Sequence, residues 1–312
     1  MPRSPSPVPT QPVLSVVVTI VEGGAALPRL LEGLRAQEDG PTLEVLVPHD
    51  ASVGPLTELR ASFPEVVFLD LGGVPTQHPV ATAAGQHELY DRRRAAGLAA
   101  ATGGLVAIVE DRGVPRPDWA ATILCLHAAH PFGVIGGAIE PVPASLLNWA
   151  FWVCDFSRYG LPFASGPARW VSDVNVSYKR AALEQTRHLW RDRYQEPVVH
   201  WALVEAGDTL YLSSELVVHH QLHPLRLLPL LPQRFDWGRL FGAIRARHLG
   251  VVSRIALVLM GPVIPFVVLA RHGRAQLRRG AALRFLLAVP ILLVLLTAWT
   301  AGELWGIITG RG

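Results

Sequence analysis

The sequence predicts an α/β fold with a mostly parallel sheet, followed by helices that seek a membrane. Three observations carry this. Short apolar runs alternate with helical stretches through the first two thirds of the chain, the order expected of strands joined by crossover helices. Leu105-Val-Ala-Ile-Val109, bounded by Gly103-Gly104 and by Glu110-Asp111-Arg112, is apolar on both faces, as a strand inside a parallel sheet must be. Finally, hydropathy is uneven: half of the 312 residues are hydrophobic and 17% are charged, and the apolar excess lies beyond residue 250.

The elements follow in order. Residues 1–12, rich in Pro and Ser and lacking an apolar h-region, read as a disordered leader rather than a signal peptide, which leaves the domain after them in the cytoplasm. Val13 to Ile20 is β-branched and apolar, a buried strand. Ala26, Leu27, Leu30, Leu31 and Leu34 recur at helical spacing. Leu43 to Val47 forms a second strand that ends at Pro48-His49-Asp50-Ala51-Ser52, Pro55 to Ser62 a short helix, and Val66 to Leu69 a third strand. Residues 72–85 are loop, and the alanines and arginines from Gln86 to Ala101 favour a helix leading into the Leu105 strand.

Pro117-Asp118-Trp119 opens a helix that runs to His130. Gly133 to Ile139 is a strand in which Gly136-Gly137 permits a close backbone approach. Asn148 to Tyr159, with Trp149, Phe151 and Trp152, has no readable period and suits a core, an acceptor site or a membrane contact. Ser172 to Tyr178 precedes a helix to His188. Proline at a first helical position makes Glu196, before Pro197, the N-cap of a helix that stops at Gly207. Short strands at Thr209–Leu212 and Leu216–His220 complete a domain over residues 13–221.

Residues 222–250 alternate leucines, prolines and arginines as an interfacial amphipathic region does. A hydrophobic membrane region follows over 251–305. Its first part, 251–270, is short and broken by Gly261-Pro262 and Pro265, which fits a re-entrant or interfacial segment; its second, 285–302, holds eighteen uncharged residues and can span a bilayer. Arginines on both sides of the first part place both flanks on the cytoplasmic side. They suit anionic lipid head groups, and no interleaved aromatic and basic platform for nucleic acid occurs. Cys125 and Cys154 lack metal-like spacing and read as buried, reduced thiols.

Asp50 and Glu110-Asp111 end strands at one sheet edge, where open α/β sheets meet their ligands. Glu196 opens a helix, and periodicity alone does not bring it to that edge.

Taken in order, these pieces resemble the family 2 glycosyltransferases, inverting enzymes with the GT-A (nucleotide-diphospho-sugar transferase) fold and a Rossmann-like sheet, here of a membrane-associated bacterial type. The pieces are the leading strand with Glu22, Asp50-Ala-Ser52, Arg94-Ala-Ala-Gly97 through Gly103, Glu110-Asp111-Arg112 with Pro115 and Asp118-Trp119, Gly136-Gly137, Asn175-Val-Ser-Tyr178, Glu196 and His219-His220. The resemblance implies that Glu22, Asp50, Arg94, Glu110, Asp111 and Arg112 bind the donor, with Asp50 on the base or ribose and Arg94 near the phosphates. It implies Mg²⁺ or Mn²⁺ on Asp111 and Glu110, since hard oxygen ligands suit a cation that neutralises a diphosphate leaving group. Glu196 becomes the general base, and Asn175, Tyr178 and Trp201 the acceptor site.

The sequence departs from the family pattern in three places. Arg112 stands where the last acid of the metal motif belongs, so either Glu110 and Asp111 hold the ion with help from His219 or His220, or Arg112 replaces part of its charge. Ala95 stands where an asparagine is usual, and Pro197 where a second carboxylate is. Gln233-Arg-Phe-Asp-Trp237 echoes the Gln-x-x-Arg-Trp of processive synthases with Asp236 in place of arginine.

The function implied is transfer of a single sugar from a nucleotide-diphosphate donor to a lipid-linked or cell-envelope acceptor, with inversion, at the bacterial inner membrane. A catalytically silent membrane scaffold of the same fold is the competing expectation. A nucleotidyltransferase would need a longer Gly-rich phosphate loop than Glu22-Gly23-Gly24.

Overall fold

In the computed structural model, which describes residues 12–21, 24–142 and 145–311, the expected leader and Glu22 lie outside the described residues, apart from Pro12. Strand β1 (Leu14–Thr19) is buried along its whole length, which is why its sequence is apolar at both alternating faces. Helix α1 (Leu27–Arg35) buries Leu27, Leu30, Leu31 and Leu34 against it. Strand β2 (Leu43–His49), helix α2 (Thr57–Ser62) and strand β3 (Val67–Asp70) follow as expected. Helix α3 (Ala83–Ala100) starts three residues early because the Thr82 hydroxyl accepts from the Gly85 amide at 3.1 Å and caps it.

Next come β4 (Leu105–Glu110), the short β5 (Gly113–Pro115), α4 (Trp119–Ala129) and β6 (Val134–Pro141). The aromatic segment is helix α5 (Leu146–Phe156), capped by Ser145. After β7 (Gly166–Ala168) and β8 (Asn175–Lys179), the expected helix to His188 is two pieces, α6 (Arg180–Gln185) and α7 (Arg187–Trp190). Helix α8 (Glu196–Glu205) has Gln195 at its N-cap, so Glu196 is its first helical residue rather than its cap. The two expected closing strands are one, β9 (Leu210–His220), whose pairing with β6 is irregular where Gly137 gives way to Ala138. Cys125 is exposed, against the expectation of a buried thiol.

Among the described residues the strands form one sheet in the order β3-β2-β1-β4-β8-β6-β9-β5, with β7 on β9. The run β3-β2-β1-β4 is parallel, as is β6 with β9. Strand β8 enters antiparallel between β4 and β6 and sets Asn175 beside Val109. The residues leading into β8 therefore meet the C-terminal edge of β4. One core lies under α1 and α4, with Val16, Val18, Val109 and Trp119. The other lies under α3 and α8, with Val17, Ile108, Tyr178 and Val199. Where α3 crosses β1, a Cβ on Gly97 would overlap Val17.

Four helices complete the chain: α9 (Leu227–Ala246), α10 (Val251–Met260), α11 (Ile264–Arg278) and α12 (Ala282–Thr309). The break between α10 and α11 bends the chain by 77°. A third core joins α5, through Trp149, Phe151 and Trp152, to Leu230 of α9 and to Phe285, Ala288, Leu292 and Leu295 of α12. Of the three readings the α5 aromatics allow, the structure selects a core, shared with the C-terminal helices.

The α9–α12 seam is built from glycines. A Cβ on Gly238 or Gly242 would overlap the carbonyl oxygens of Trp299 or Glu303, and one on Gly302 or Gly306 those of Phe235 or Arg239. Two small-xxx-small faces thus meet with backbones in contact. The two helices run parallel, with Phe235 beside Gly302 and Arg239 beside Gly306. Arg245 on α9 pairs with Glu303 on α12 at 2.6 Å.

Candidate active site

The C-terminal edge of the parallel strands, where ligands meet sheets of this kind, is organised by two consecutive arginines of α3. Arg93 donates through Nε to Asp50 Oδ2 at 2.6 Å, and reaches Ile20 O at 2.7 Å and Ser52 Oγ at 2.9 Å. The other Asp50 oxygen accepts from the Ser52 amide at 2.8 Å. Burial pushes the Asp50 carboxyl up, but the hydrogen bonds from Ser52 and the Arg93 charge hold it below the usual carboxylate range. With 3% of its surface exposed, Asp50 fixes Arg93 and the turn after β2. The resemblance implied a contact from Asp50 to the base or ribose; in the structure its carboxylate is engaged by Arg93 and Ser52.

Arg94, one residue on, points to a different set. Its Nε donates to Thr19 Oγ1 at 3.1 Å, Nη2 to Glu110 Oε1 at 3.0 Å, and Nη1 pairs with Asp173 Oδ2 at 2.9 Å. The guanidinium is buried while the two carboxylates keep 14% and 18% of their side chains open, so a ligand approaching the edge meets acid backed by a hidden cation. Burial pushes Glu110 up to about 7, opposed by Arg94 and reinforced by Asp173. Burial also raises Asp173, again against Arg94. Arg94 therefore acts as a bridge between β4 and the entry to β8, where the sequence suggested a contact to donor phosphate.

Glu196 joins this set through Asp173, whose amide donates to Glu196 Oε2 at 3.2 Å. Four residues on, and one helical turn away, His200 places Nδ1 3.5 Å from Glu196 Oε1. The other ring nitrogen, Nε2, lies 2.7 Å from the Tyr178 hydroxyl, which in turn bonds the Tyr194 hydroxyl. The structure thus brings Glu196, Asp173, Arg94 and Glu110 into one chain of contacts. Asp91 lies close by, pushed up to about 7 by burial and held by Arg193 and Gln195 at 3.3 Å each.

Two acceptor residues expected from the sequence sit inside the protein instead. Asn175 has no exposed surface; its Oδ1 accepts from Trp119 Nε1 at 2.9 Å, and its Nδ2 donates to Ala138 O at 2.9 Å and Leu216 O at 3.0 Å. Every polar atom of that side chain stitches the sheet, so it has none to offer an acceptor. Tyr178 is likewise fully buried. Trp201 is placed differently. With Arg169, His200, Val204 and Asp208 it lines a cavity of about 360 Å³, and its ring meets Trp170 at 6.1 Å and His248, between α9 and α10, at 4.7 Å.

Asp111 is buried beside Glu110, with Arg112 following on the same turn. The divalent cation expected here does not fit these residues. Glu110 is already engaged by Arg94, Arg112 brings a second guanidinium, and among the described residues no three His, Cys, Asp or Glu side chains converge to hold a metal. His219 and His220 lie opposite Val114 and Gly113 on the neighbouring strand. His220 is buried against Phe156 at 4.8 Å, and neither of its ring nitrogens has a hydrogen-bond partner.

Burial and the Arg112 charge push His220 down to about 3. A histidine whose folded pKa lies below its unfolded value of 6.5 contributes stability that is present above pH 6.5 and lost as pH falls toward 3. His220→Phe is expected to remove that loss, so that wild type falls behind the variant by on the order of 2 kcal/mol at pH 5 relative to pH 7. Urea melts of both proteins across that window check it.

Asp173, Arg93 and His200 were missed by sequence reasoning. The signals were present: Asp173 lies two residues before Asn175, the run Asp91-Arg-Arg-Arg94 sits within one helix, and His200 is four residues after Glu196.

No family model and no curated protein matches the chain. Among solved structures it is similar to the mannosyltransferase PcManGT from Pyrobaculum calidifontis in complex with GDP-Man and Mn²⁺, at 15% identity over 97% of this chain and 91% of that one, with a TM-score of 0.57. It is also similar to residues 1–349 of S. aureus TarS in complex with UDP-GlcNAc, at 12% identity over 72% of this chain, with a TM-score of 0.50; the chain spans 65% of the length of that fragment. These likenesses establish the GT-A fold.

Proposed function

We propose that the protein is a glycosyltransferase that moves one sugar from a nucleoside-diphosphate donor to a lipid-linked or cell-envelope acceptor, with inversion at the anomeric carbon. The observation that carries this reading is the chain Glu110–Arg94–Asp173–Glu196, which joins the strand end expected to face a donor to the carboxylate expected to act as base. GDP-Man and UDP-GlcNAc, bound in the two similar structures, suggest the donor class: a nucleoside diphosphate bonded to a sugar.

In a single displacement the acceptor oxygen forms its bond to the anomeric carbon as the bond to the diphosphate breaks. The electron pair leaves with the diphosphate, and Arg112 supplies positive charge at that edge. The acceptor proton passes to Glu196, which the Asp173 amide orients and which His200 approaches from the same helix. One displacement inverts the configuration. Trp201 and its cavity suit the acceptor side, because an aromatic face covers the apolar face of a sugar ring. Attachment to the bacterial inner membrane, with the α/β domain on the cytoplasmic side, belongs to the same proposal and rests on the apolar C-terminal helices.

Glu196→Gln is expected to lower kcat by about 10²–10⁴-fold while leaving donor binding in place. A variant with full activity would remove Glu196 from the mechanism; a wild-type protein that binds donor and never transfers sugar would favour the scaffold. Thermal stabilisation by UDP-, GDP- and dTDP-sugars reads donor binding directly. Because the residues do not fit a divalent cation, the stabilisation is expected to be the same in EDTA as in Mn²⁺, and dependence on Mn²⁺ would overturn that reading of Arg94 and Arg112.

A further inference from the structure

Helix α12 is long and apolar enough to cross a bilayer by composition, but its packing argues for a different placement. One face, through Phe285, Ala288, Leu292 and Leu295, is buried in the core shared with α5. Helix α5 belongs to the α/β domain, since Trp152 Nε1 donates to Ile139 O of β6 at 3.1 Å. Further along, Gly302 and Gly306 lie against α9. The helix is held along its length by elements that a crossing would draw in with it.

Those elements are charged. Arg234 of α9 pairs with Asp155 of α5 at 2.5 Å, Arg239 with Asp236 at 3.5 Å, and Arg245 with Glu303 at 2.6 Å. Because α9 runs parallel beside the C-terminal part of α12, with Phe235 at Gly302 and Arg239 at Gly306, a span through residues 285–302 would bring the Arg234–Asp155 pair to its last turn and draw α5 and the start of α9 into hydrocarbon with it, where ionised side chains are strongly disfavoured.

The opposite surface has the reverse character. Helix α10 buries none of its residues. Val252 is 81% exposed, Leu259 75%, Phe266 of α11 60%, and Leu283 and Leu286 of α12 72% and 66%. From Val251 to Gly302 the chain carries arginines at 254, 271, 274, 278, 279 and 284 and no Asp or Glu. An apolar face with arginines and no acid is complementary to a lipid surface with anionic head groups. A second copy would set arginine against arginine.

We propose that the chain binds an anionic bilayer as a monotopic protein, with the outward faces of α10, α11 and α12 lying in the plane of the interface, and that α12 does not cross. This deepens the membrane attachment in the functional reading but does not use its chemistry.

The test uses the full chain with Cys125→Ser and Cys154→Ala and single cysteines at Ser253→Cys or Thr309→Cys. In native membrane vesicles of known sidedness, a membrane-impermeant maleimide is expected to label both positions from the side that carries the α/β domain. Labelling of Thr309→Cys only from the opposite side overturns the proposal. The purified protein is expected to float with phosphatidylglycerol vesicles and far less with phosphatidylcholine. Val252→Glu/Leu259→Glu/Phe266→Glu is expected to lower the phosphatidylglycerol partition by at least about tenfold. Absent flotation, or a lipid-free dimer that the triple variant breaks, overturns it. Donor-induced stabilisation is measured on the same samples: donor binding without flotation sinks the attachment alone, and flotation without donor binding sinks the chemistry alone.

Discussion

Arg94→Met is expected to lower stability by about 3–5 kcal/mol, because it leaves buried carboxylates without their cation. Arg94 is 3% exposed and bonds Thr19, Glu110 and Asp173 at once. Methionine fills much of the space but none of the charge. Glu110 and Asp173 are already pushed up by burial, with Arg94 the first opposing charge on each, so both should take up protons at neutral pH in the variant. A fall in melting temperature of about 10 °C would correspond. Arg94→Lys is expected to be intermediate, since an ammonium cannot fork between two carboxylates. Adding Glu110→Gln and Asp173→Asn to the methionine variant should recover part of the loss. An Arg94→Met protein that melts with wild type would show that the bridge does not hold these elements.

The second large effect is expected at the glycine seam. A Cβ at Gly302 would overlap the carbonyl oxygen of Phe235, and one at Gly242 that of Glu303. The obstacle is backbone, which cannot rotate away, so even Gly302→Ala must force the helices apart at a cost of about 1–3 kcal/mol. Gly302→Leu should undock α9 from α12 and break the Arg245–Glu303 pair with it. Trp299 sits on the seam, so its fluorescence in mild detergent reports the opening. Gly250→Ala is the control: nothing lies within 4 Å of a Cβ there, and stability should change by less than about 0.5 kcal/mol.

The parallel strands were legible in the sequence because strands buried on both faces must be largely apolar, and β1, β2 and β4 carry the runs Val16–Val18, Val45–Val47 and Leu105–Val109. The antiparallel entry of β8 was not. Asn175-Val-Ser-Tyr-Lys179 carries no mark of direction, and that direction is what sets Asp173 beside Glu110. Asn175 looked available because its polarity is local, whereas its partner Trp119 is 56 residues away. Asp91, Arg93 and Arg94 stand on a helix among alanines, with no local sign of their partners, yet they are buried and satisfied by residues from other strands and loops. In α12, hydropathy reported the apolar stretch correctly but could not report that two of its glycines face α9. The acidic strand end was read at the right place; the guanidinium that pairs with it was not, because it comes from α3.

The contact between Trp201 and His248 has a consequence for what the protein can act upon. Trp201 is on the helix that begins with Glu196, and His248 stands three residues before α10, so the carboxylate and the apolar α10 surface are joined by an edge-to-face ring contact at 4.7 Å rather than by a slack tether. If Glu196 is the base and that surface meets the bilayer, as proposed, the proton-accepting group would stand at a set height above the head groups. Acceptors would be sorted by how far their hydroxyl projects from the bilayer, a ruler made of helices, and lengthening the spacer between lipid and sugar would move a substrate out of reach without changing a single contact in the site.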